Sequence, residues 1–549
     1  MLFAQHPRRL ELLKLQAPWP LTPLRIRVHR NHAFEHLASV ASPWFAWWGR
    51  QPEFLYSVYD DSLSFALEGD EPVDLELVWL DAARYPAARD EGGFVDWLLS
   101  RLAALRAQTA APIIVIVIGT EAPTHARVAE GVRALPAVRV AELQPWITQL
   151  GEGFFDQRAA PFSGTRVSDR AGVVLARALA CRWAPASLAP RLKAVAVDLD
   201  QTLYEGVLGE EDDRVVLTPA HAALQQFLVQ LRAEGVFLAL VSRNDPSDVQ
   251  RLFQRRQDFP LRWESFSARV LSWESKADGL RQAAEALRIG LDAVLFVDDN
   301  PGELAAVAAE APPVRLAHAT ADAALTRRTL EYYPGLWAWD RTGTDALRVA
   351  DLAAEAERAR LATKSVSAEE YLGSLQVQIT IELTPRQHLA RLQELSQKTN
   401  QFNLNLERLS EVELARLLAT ADHRIAVVGL RDRLSDSGLV GLLVARREAD
   451  DTLVVRELAI SCRALGRRLE DLMVAQAVAA ILGELPARRV EFLHRTGPRN
   501  APAREWLSRL TGHPLPAAGR EPADQALRAV LATPWPVIVE VLNEQPERN

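Results

Sequence analysis

The stretch VAVDLDQTLYEGVLGEE, residues 195–211, decides how the middle of this chain folds. It opens on an apolar β-run and then places Asp198 and Asp200 one residue apart, with Thr202 behind them. Alternate side chains of a strand point the same way, so both acids can converge at its carboxyl end. Two carboxylates brought together repel unless a cation or a shared proton compensates. The spacing therefore predicts a strand tip built to hold something positive.

Three later stretches fit the same plan. FLALVSRND (237–245) ends a strand on Ser242, SWESKADGL (272–280) puts Lys276 at a helix start, and AVLFVDDNPGE (293–303) ends a strand on Asp298 and Asp299. In an open parallel sheet the carboxyl ends of the strands line one crevice, so these groups can meet. Carboxylate oxygens suit Mg²⁺, which keeps waters and binds a substrate phosphate. A carboxylate can attack phosphorus, a second acid can move the proton, and a hydroxyl with an ammonium can hold the non-bridging oxygens.

The order of these motifs resembles the haloacid dehalogenase superfamily of phosphotransferases. That resemblance implies Asp198 as nucleophile and Asp200 as acid/base. It implies Thr202, Ser242 and Lys276 on the phosphate, and a metal held among Asp198, Asp200, Asp298 and Asp299. Only YEGVLGEEDDRVVLT (204–218) separates the first motif from the next helix, room for a hairpin flap but no lid domain. Such an open site suits a substrate carried on a large partner or covered by a neighbouring domain.

Outward from this centre, four segments are expected. Residues 1–185 alternate strand-like and helical runs, including LRIRV, VDLELVWL and IIVIVIG, the rhythm of a parallel α/β layer. Residues 190–335 form the doubly wound sheet with minimal cap, 336–365 a helical connector, and 366–549 a mixed α+β domain. The aromatic cluster at 43–54 reads as core packing.

A closer resemblance spans about residue 150 to the C-terminus. The stretches DLDQTLYEGVLGEE, FVDDNPGE, QKTNQFNLNLERL (397–409), RDRLSDSGLVG (431–441) and ISCRALGRRLED (460–471) together are similar to the FkbH-like family. Members form glyceryl–acyl carrier protein in polyketide pathways. The resemblance implies 1,3-bisphosphoglycerate as acyl donor, an acyl carrier protein as partner with its phosphopantetheine thiol, dephosphorylation by the middle domain, and a cysteine, here Cys462, carrying the acyl group. It implies an acyltransferase-like third domain of the Gcn5-related type, with Asn400, Asn403, Arg463, Gly466, Arg467 and Asn500 toward the acyl or pantetheine group. Nearby cations and helix N–H groups at the Cys462 turn would lower the thiol pKa. The competing reading is a Mg²⁺-dependent phosphatase whose C-terminal domain only binds or positions a partner.

The first segment of the relatives is of the SGNH-hydrolase type, a flavodoxin-like α/β fold. Here the turn RVHRNHAFEHL has no serine at the nucleophile position, so Asn31 and His32 are expected to be structural and the domain non-catalytic. Cys181 reads as packing, and His423 as solvated in a loop. A net charge of −8, spread along 549 residues, disfavours nucleic acid. Two cysteines exclude a disulfide framework. The charged start lacks the apolar stretch of a signal peptide, and no run is long enough to span a bilayer. A cytoplasmic protein without membrane partners is expected.

Overall fold

The computed structural model describes residues 2–5, 7–59, 62–65, 71–85, 91–209, 215–340, 343–465, 467 and 469–542. Within them the chain builds three sheets, two of five strands and one of seven. No helix among the described residues is long and apolar enough to cross a membrane.

The first sheet joins β1 (Thr22–Arg30), β2 (Arg50–Tyr59), β3 (Leu75–Asp81), β4 (Ile113–Ile118) and β5 (Val138–Val140) in the order β2-β1-β3-β4-β5. Every pairing is parallel. That is the flavodoxin-type order. All six residues of β4 are buried, as a strand covered by helices on both faces must be. The aromatic cluster at 43–54 splits between helix Glu35–Trp47, whose Trp44 and Phe45 are fully buried, and the edge strand β2. At the carboxyl edge Asn31 and the Asp81 backbone exchange two hydrogen bonds, and Arg166 grips the Asp81 carboxylate through two more, of 2.8 and 2.7 Å. His32 stacks on Trp79 and is held neutral, its pKa pushed down to about 3 by burial and by neighbouring Arg84.

The second sheet comprises β6 (Ala194–Val197), β7 (Phe237–Ser242), β8 (Ala268–Leu271), β9 (Val294–Asp298) and β10 (Arg315–His318), in the order β10-β9-β6-β7-β8 and again all parallel. The chain reverses direction of winding between β6 and β9, which opens a crevice at their carboxyl ends. Between β6 and helix Pro219–Ala233 stands a small antiparallel bridge, Glu205 to Val216. Residues 210–214 of the expected flap lie outside the described residues.

The third sheet runs β16-β15-β14-β13-β12-β11-β17, from β11 (Gln378–Leu383), β12 (His423–Arg431), β13 (Asp436–Arg447), β14 (Thr452–Ile460), β15 (Arg489–Arg495), β16 (Ala518–Pro522) and β17 (Ile538–Leu542). It is mostly antiparallel, but β14–β15 and β11–β17 pair parallel. The parallel pairing of β14 with β15 stops at Val455, and the strands then part. The gap is filled by the chain itself. Leu404 N–H donates to Leu458 O, Ile460 N–H to Phe402 O, and Arg495 N–H to Leu404 O, so residues 402–404 lie between the two strands. His423 is buried at the start of β12, bonded to Asp422, Thr420 and Arg456, and is not the solvated loop residue its sequence suggests.

The connector is a helix, Gly343–Lys364, and it is not a loose link. Its Arg358 and Asp351 join Arg467, Asp432 and Ser437 in a buried network. Arg358 meets Asp432 and Asp351 at 2.9 Å each, and Arg467 meets the same two acids at 3.1 and 2.9 Å. Both arginine side chains are 2% exposed. The other side of the helix reaches the second domain through Arg348 to Gly235 O and Glu355 to Arg288. Removing one member of a buried charge network leaves its partners uncompensated, at a cost of about 3–5 kcal/mol. Arg358→Met is therefore expected to destabilise the third domain by that amount in urea unfolding. A loss below about 1 kcal/mol would show that the network does not hold the helix.

Candidate active site

Asp198 leaves the end of β6 with its N–H bonded to Val297 O of β9, which sets the two strand tips side by side. One carboxylate oxygen from each of Asp198, Asp298 and Asp299 falls within 4.8 Å of the others, with Asp198 and Asp298 buried. A turn follows at once, its Leu203 N–H bonded to Leu199 O and Gln201 at positive φ. Lys276 comes in from the first residue of helix Lys276–Ala286, whose cap is the Ser275 hydroxyl accepting from Asp278 N–H. Its ammonium contacts Asp198 Oδ1, lies 3.4 Å from Asp298 Oδ2 and donates to Val241 O at 2.9 Å. The Ser242 hydroxyl is 2.8 Å from Asp198 Oδ1 and 2.6 Å from Asn244 Oδ1.

Burial raises the pKa of Asp198, with the Asp298 charge adding to it, while Lys276 and Ser242 pull the other way. Burial likewise raises Asp298 and Asp299. Asp298 Oδ1 accepts from Asn300 N–H at 2.8 Å, and the buried Oδ2 faces the Lys276 ammonium at 3.4 Å. Three carboxylates converging this closely around one ammonium are the donor set of a hard divalent cation. The residues fit Mg²⁺, held by Asp198, Asp298 and Asp299.

Asp200 stands outside that group. Its carboxylate accepts from Tyr204 Oη at 2.5 Å, from Leu208 N–H at 2.9 Å and from Asn244 Nδ2 at 3.0 Å, which fastens the side chain beside the three-acid cluster and outside it. As a metal ligand it is misplaced in this arrangement. Sequence reasoning missed Asn244 and Tyr204, although both lie within the quoted stretches. Asn244, two residues past Ser242, joins the Ser242–Asp198 and Asp200 halves of the site. The Thr202 hydroxyl is buried without a hydrogen-bond partner, beside Asp198 in the chain.

The residues expected toward an acyl or pantetheine group behave differently. Asn403 donates to Glu457 Oε1 at 2.7 Å and accepts from Leu406 N–H, wholly buried. Asn500 donates to Asn403 O and Arg495 O, and accepts from Gly497 N–H. Arg467 belongs to the network on the connector helix. These three side chains bond groups within the fold. Gly466 lies outside the described residues. Asn400, Arg463 and Cys462 do line a cleft between the second and third domains. Cys462 is half-buried, and its thiol lies 3.2 Å from Arg288 O across the interface. The following helix begins only at Glu470, so its N–H groups do not face the thiol. Cys181 is fully buried, its thiol pushed up to about 12 by that burial.

The two places are far apart. Lys193 and Leu291 on the cleft wall precede β6 and β9 and Phe237 begins β7, whereas Asp198 follows β6 and Ser242 and Asp298 end β7 and β9. Five residues of strand put about 17 Å between the Lys193 and Asp198 backbones. The third domain thus docks its Cys462 turn on the amino edge of the sheet, the edge opposite the carboxylate crevice.

Because the fold raises these three carboxyl groups above their unfolded values, their contribution to the stability of the metal-free protein falls as pH rises through the raised values. Mg²⁺ at a hundred times its Kd should return about 2.7 kcal/mol at neutral pH and progressively less under acid. Thermal melting checks this, and Asp298→Asn should abolish the shift. An equal Mg²⁺ effect in that variant would remove the metal assignment.

No protein-family model matches the chain, and no curated protein matches it. Solved structures similar to it include the N-terminal part of the protein BF1531 from Bacteroides fragilis, containing a phosphatase domain complexed with Mg, at 19% identity and TM-score 0.44, over 59% of this chain and 95% of that one. A probable YrbI family phosphatase from Pseudomonas syringae aligns over 32% of this chain and 94% of its own, at 18% identity and TM-score 0.19. A spermidine N-acetyltransferase variant from Vibrio cholerae aligns over 21% and 69%, at 14% identity and TM-score 0.17. At these levels the chemistry of the site stands on its own geometry.

Proposed function

We propose that the second domain is a Mg²⁺-dependent phosphatase working through an aspartyl-phosphate on Asp198. The observation that carries this is the meeting of Asp198, Asp298 and Asp299 within 4.8 Å of one another, with Lys276 and Ser242 on Asp198. A bound divalent cation would neutralise the phosphate and the three acids together. Asp198 then attacks phosphorus and the bond to the leaving oxygen breaks, that oxygen taking a proton from Asp200. Water attacks the same phosphorus, gives its proton back to the Asp200 carboxylate, and inorganic phosphate departs. Three donors on Asp200 orient it as an acceptor, which suits the second half. Lys276 and Ser242 hold phosphoryl oxygens where charge accumulates.

On the finer reading the whole chain loads a glyceryl-type unit from 1,3-bisphosphoglycerate onto an acyl carrier protein. The Cys462 sulfur attacks the acyl-phosphate carbon, the C–O bond to phosphate breaks, and the thioester passes to the carrier's phosphopantetheine thiol. The ester phosphate at the other end is hydrolysed at Asp198. What supports this is the family resemblance and the separation of the two sites, because thiol attack on an activated carbonyl and hydrolysis of an ester are different chemistries. A carrier's flexible arm could make the passage between them. The first domain is assigned a scaffold part, since Asn31 and His32 are occupied inside the fold.

The contact of the Cys462 thiol with Arg288 O favours a second reading, in which Cys462 only fastens the domains and the chain is a phosphatase. Intact-mass analysis after mixing protein, Mg²⁺, 1,3-bisphosphoglycerate and phosphopantetheinylated carrier separates the two. A glyceryl increment on the carrier, lost in Cys462→Ala, supports loading; released phosphate beside an unchanged carrier leaves the phosphatase alone. Asp198→Asn should cut phosphate release by at least about a thousandfold, as removal of a nucleophile does. Full release in that variant would end the aspartyl-phosphate mechanism.

A further inference from the structure

The cleft between the second and third domains carries more positive charge than its acids account for. Glu394, deep in its wall, is held well below the usual carboxylate range. Burial opposes this, and Arg391, Lys398, Arg348 and Lys193 outweigh it. Four cations therefore act on one carboxylate. Arg391 meets it at 2.6 Å, Arg348 at 3.7 Å and Lys398 at 3.8 Å. Lys193, arriving from the head of β6, feels the same carboxylate but also the repulsion of Arg348 and Arg391. Arg463 adds a fifth positive group on the same wall.

Glu285 also lines this cleft, and two further acids nearby are committed elsewhere. Asp351 serves Arg358 and Arg467, and Glu355 pairs with Arg288 and Arg358. Like charges gathered out of water cost folding free energy unless an opposite charge joins them. The protonation balance reflects this. Burial, joined by the neighbouring cations, draws Lys398 down to about 8 and Arg463 to about 9. A second anion beside Glu394 would relieve the cluster.

The space for one is present. The cleft has a volume of about 810 Å³ and is lined by Lys193, Arg391, Glu394, Lys398, Asn400 and Cys462 among others. That is the size range of small-molecule sites. Arg391 is fixed in place by two bonds to Leu439 O, and Asn400 gives its oxygen to Arg408, which leaves its amide N–H groups as donors. The ammonium groups of Lys193 and Lys398 are compact, multi-donor charges of the kind that hold phosphate oxygens.

We propose that this cleft is a phosphate-binding site, separate from the three-acid crevice, in which Lys193 and Lys398 hold the phosphate of a ligand lying beside Cys462. The charge and the cavity do not depend on the function proposed above; that reading enters only in naming the sources, a small phosphorylated acid or the phosphodiester-linked arm of a carrier. Either presents the same chemistry to the lysines.

Alkylation of Cys462 reports on the site, because the chain's other cysteine, Cys181, is fully buried. The full-length protein is treated with iodoacetamide in EDTA at constant ionic strength, alone or with inorganic phosphate, 3-phosphoglycerate or 4′-phosphopantetheine, and the modified residue is mapped by mass spectrometry. A ligand at about four times its Kd should slow the reaction about fivefold, as one plus the ratio of ligand to Kd. Protection by 3-phosphoglycerate alone identifies the small acid, and by phosphopantetheine alone the carrier arm. Lys193→Gln with Lys398→Gln should abolish protection. Should that pair fail to fold, the wild-type result decides: equal rates with and without all three probes overturn the proposal. Asp198→Asn must keep the protection; losing it would place the phosphate in the three-acid crevice and overturn the separate site. Protection without any phosphate release from phosphoesters in Mg²⁺ would instead end the phosphatase reading and leave the cleft intact.

Discussion

A single buried ammonium makes the second domain's strand tips possible. Asp198 and Asp298 are adjacent because their strands are hydrogen-bonded neighbours, and neither can move away without breaking the parallel ladder. Burial raises both, the Asp298 charge raises Asp198 further, and Asp299 does the same to Asp298. Lys276 sits against both carboxylates and is held by Val241 O, so it compensates part of that repulsion from a fixed position. Part remains, because a single ammonium faces three carboxylates once Asp299 is counted. The crevice is consequently stable enough to fold and still short of positive charge, which is the condition for binding a cation reversibly.

The same principle appears with the opposite sign on the other edge of the sheet. There Arg391, Lys398, Arg348 and Lys193 all act on Glu394, and the proposed requirement is for an anion. A parallel sheet separates its two edges by the length of its strands, so one domain carries two electrostatically unlike places about 17 Å apart. The helix Gly343–Lys364 makes this durable. Its buried arginine–aspartate network belongs to the third domain, while Arg348 and Glu355 reach the second. The cleft is thus a fixed feature between bodies that are tied to a common helix.

The strand–helix alternation and the acids at strand ends were legible in the sequence because both follow from short-range rules. A parallel strand covered on both faces must be apolar throughout, and IIVIVI or FLALVS can hardly be read otherwise. Such a strand can tolerate an acid only where it leaves the sheet. Asp198, Ser242, Asp298 and Asp299 are visible for that reason, and Lys276 because Ser275 announces a helix start. Asn403, Asn500 and Arg467 read equally well as ligand donors or as loop fasteners, since an amide or guanidinium offers the same groups to either. Only their partners, Glu457, the 402–404 backbone and the connector helix, tell the two apart.

What the sequence determined by itself, then, is the local grammar: which runs are strands, where each ends, and which polar groups stand at those ends. The tertiary structure decided which ends meet. It fastened Asp200 outside the three-acid cluster through Tyr204, Leu208 and Asn244, filled the parting of β14 and β15 with residues 402–404, and set Cys462 on the amino edge of a sheet whose acids lie at the carboxyl edge. The reason is one of range. Periodicity and capping act over a few neighbouring residues, while the cost of gathering like charges depends on residues separated by a hundred or more positions that only the finished fold brings within a few ångströms.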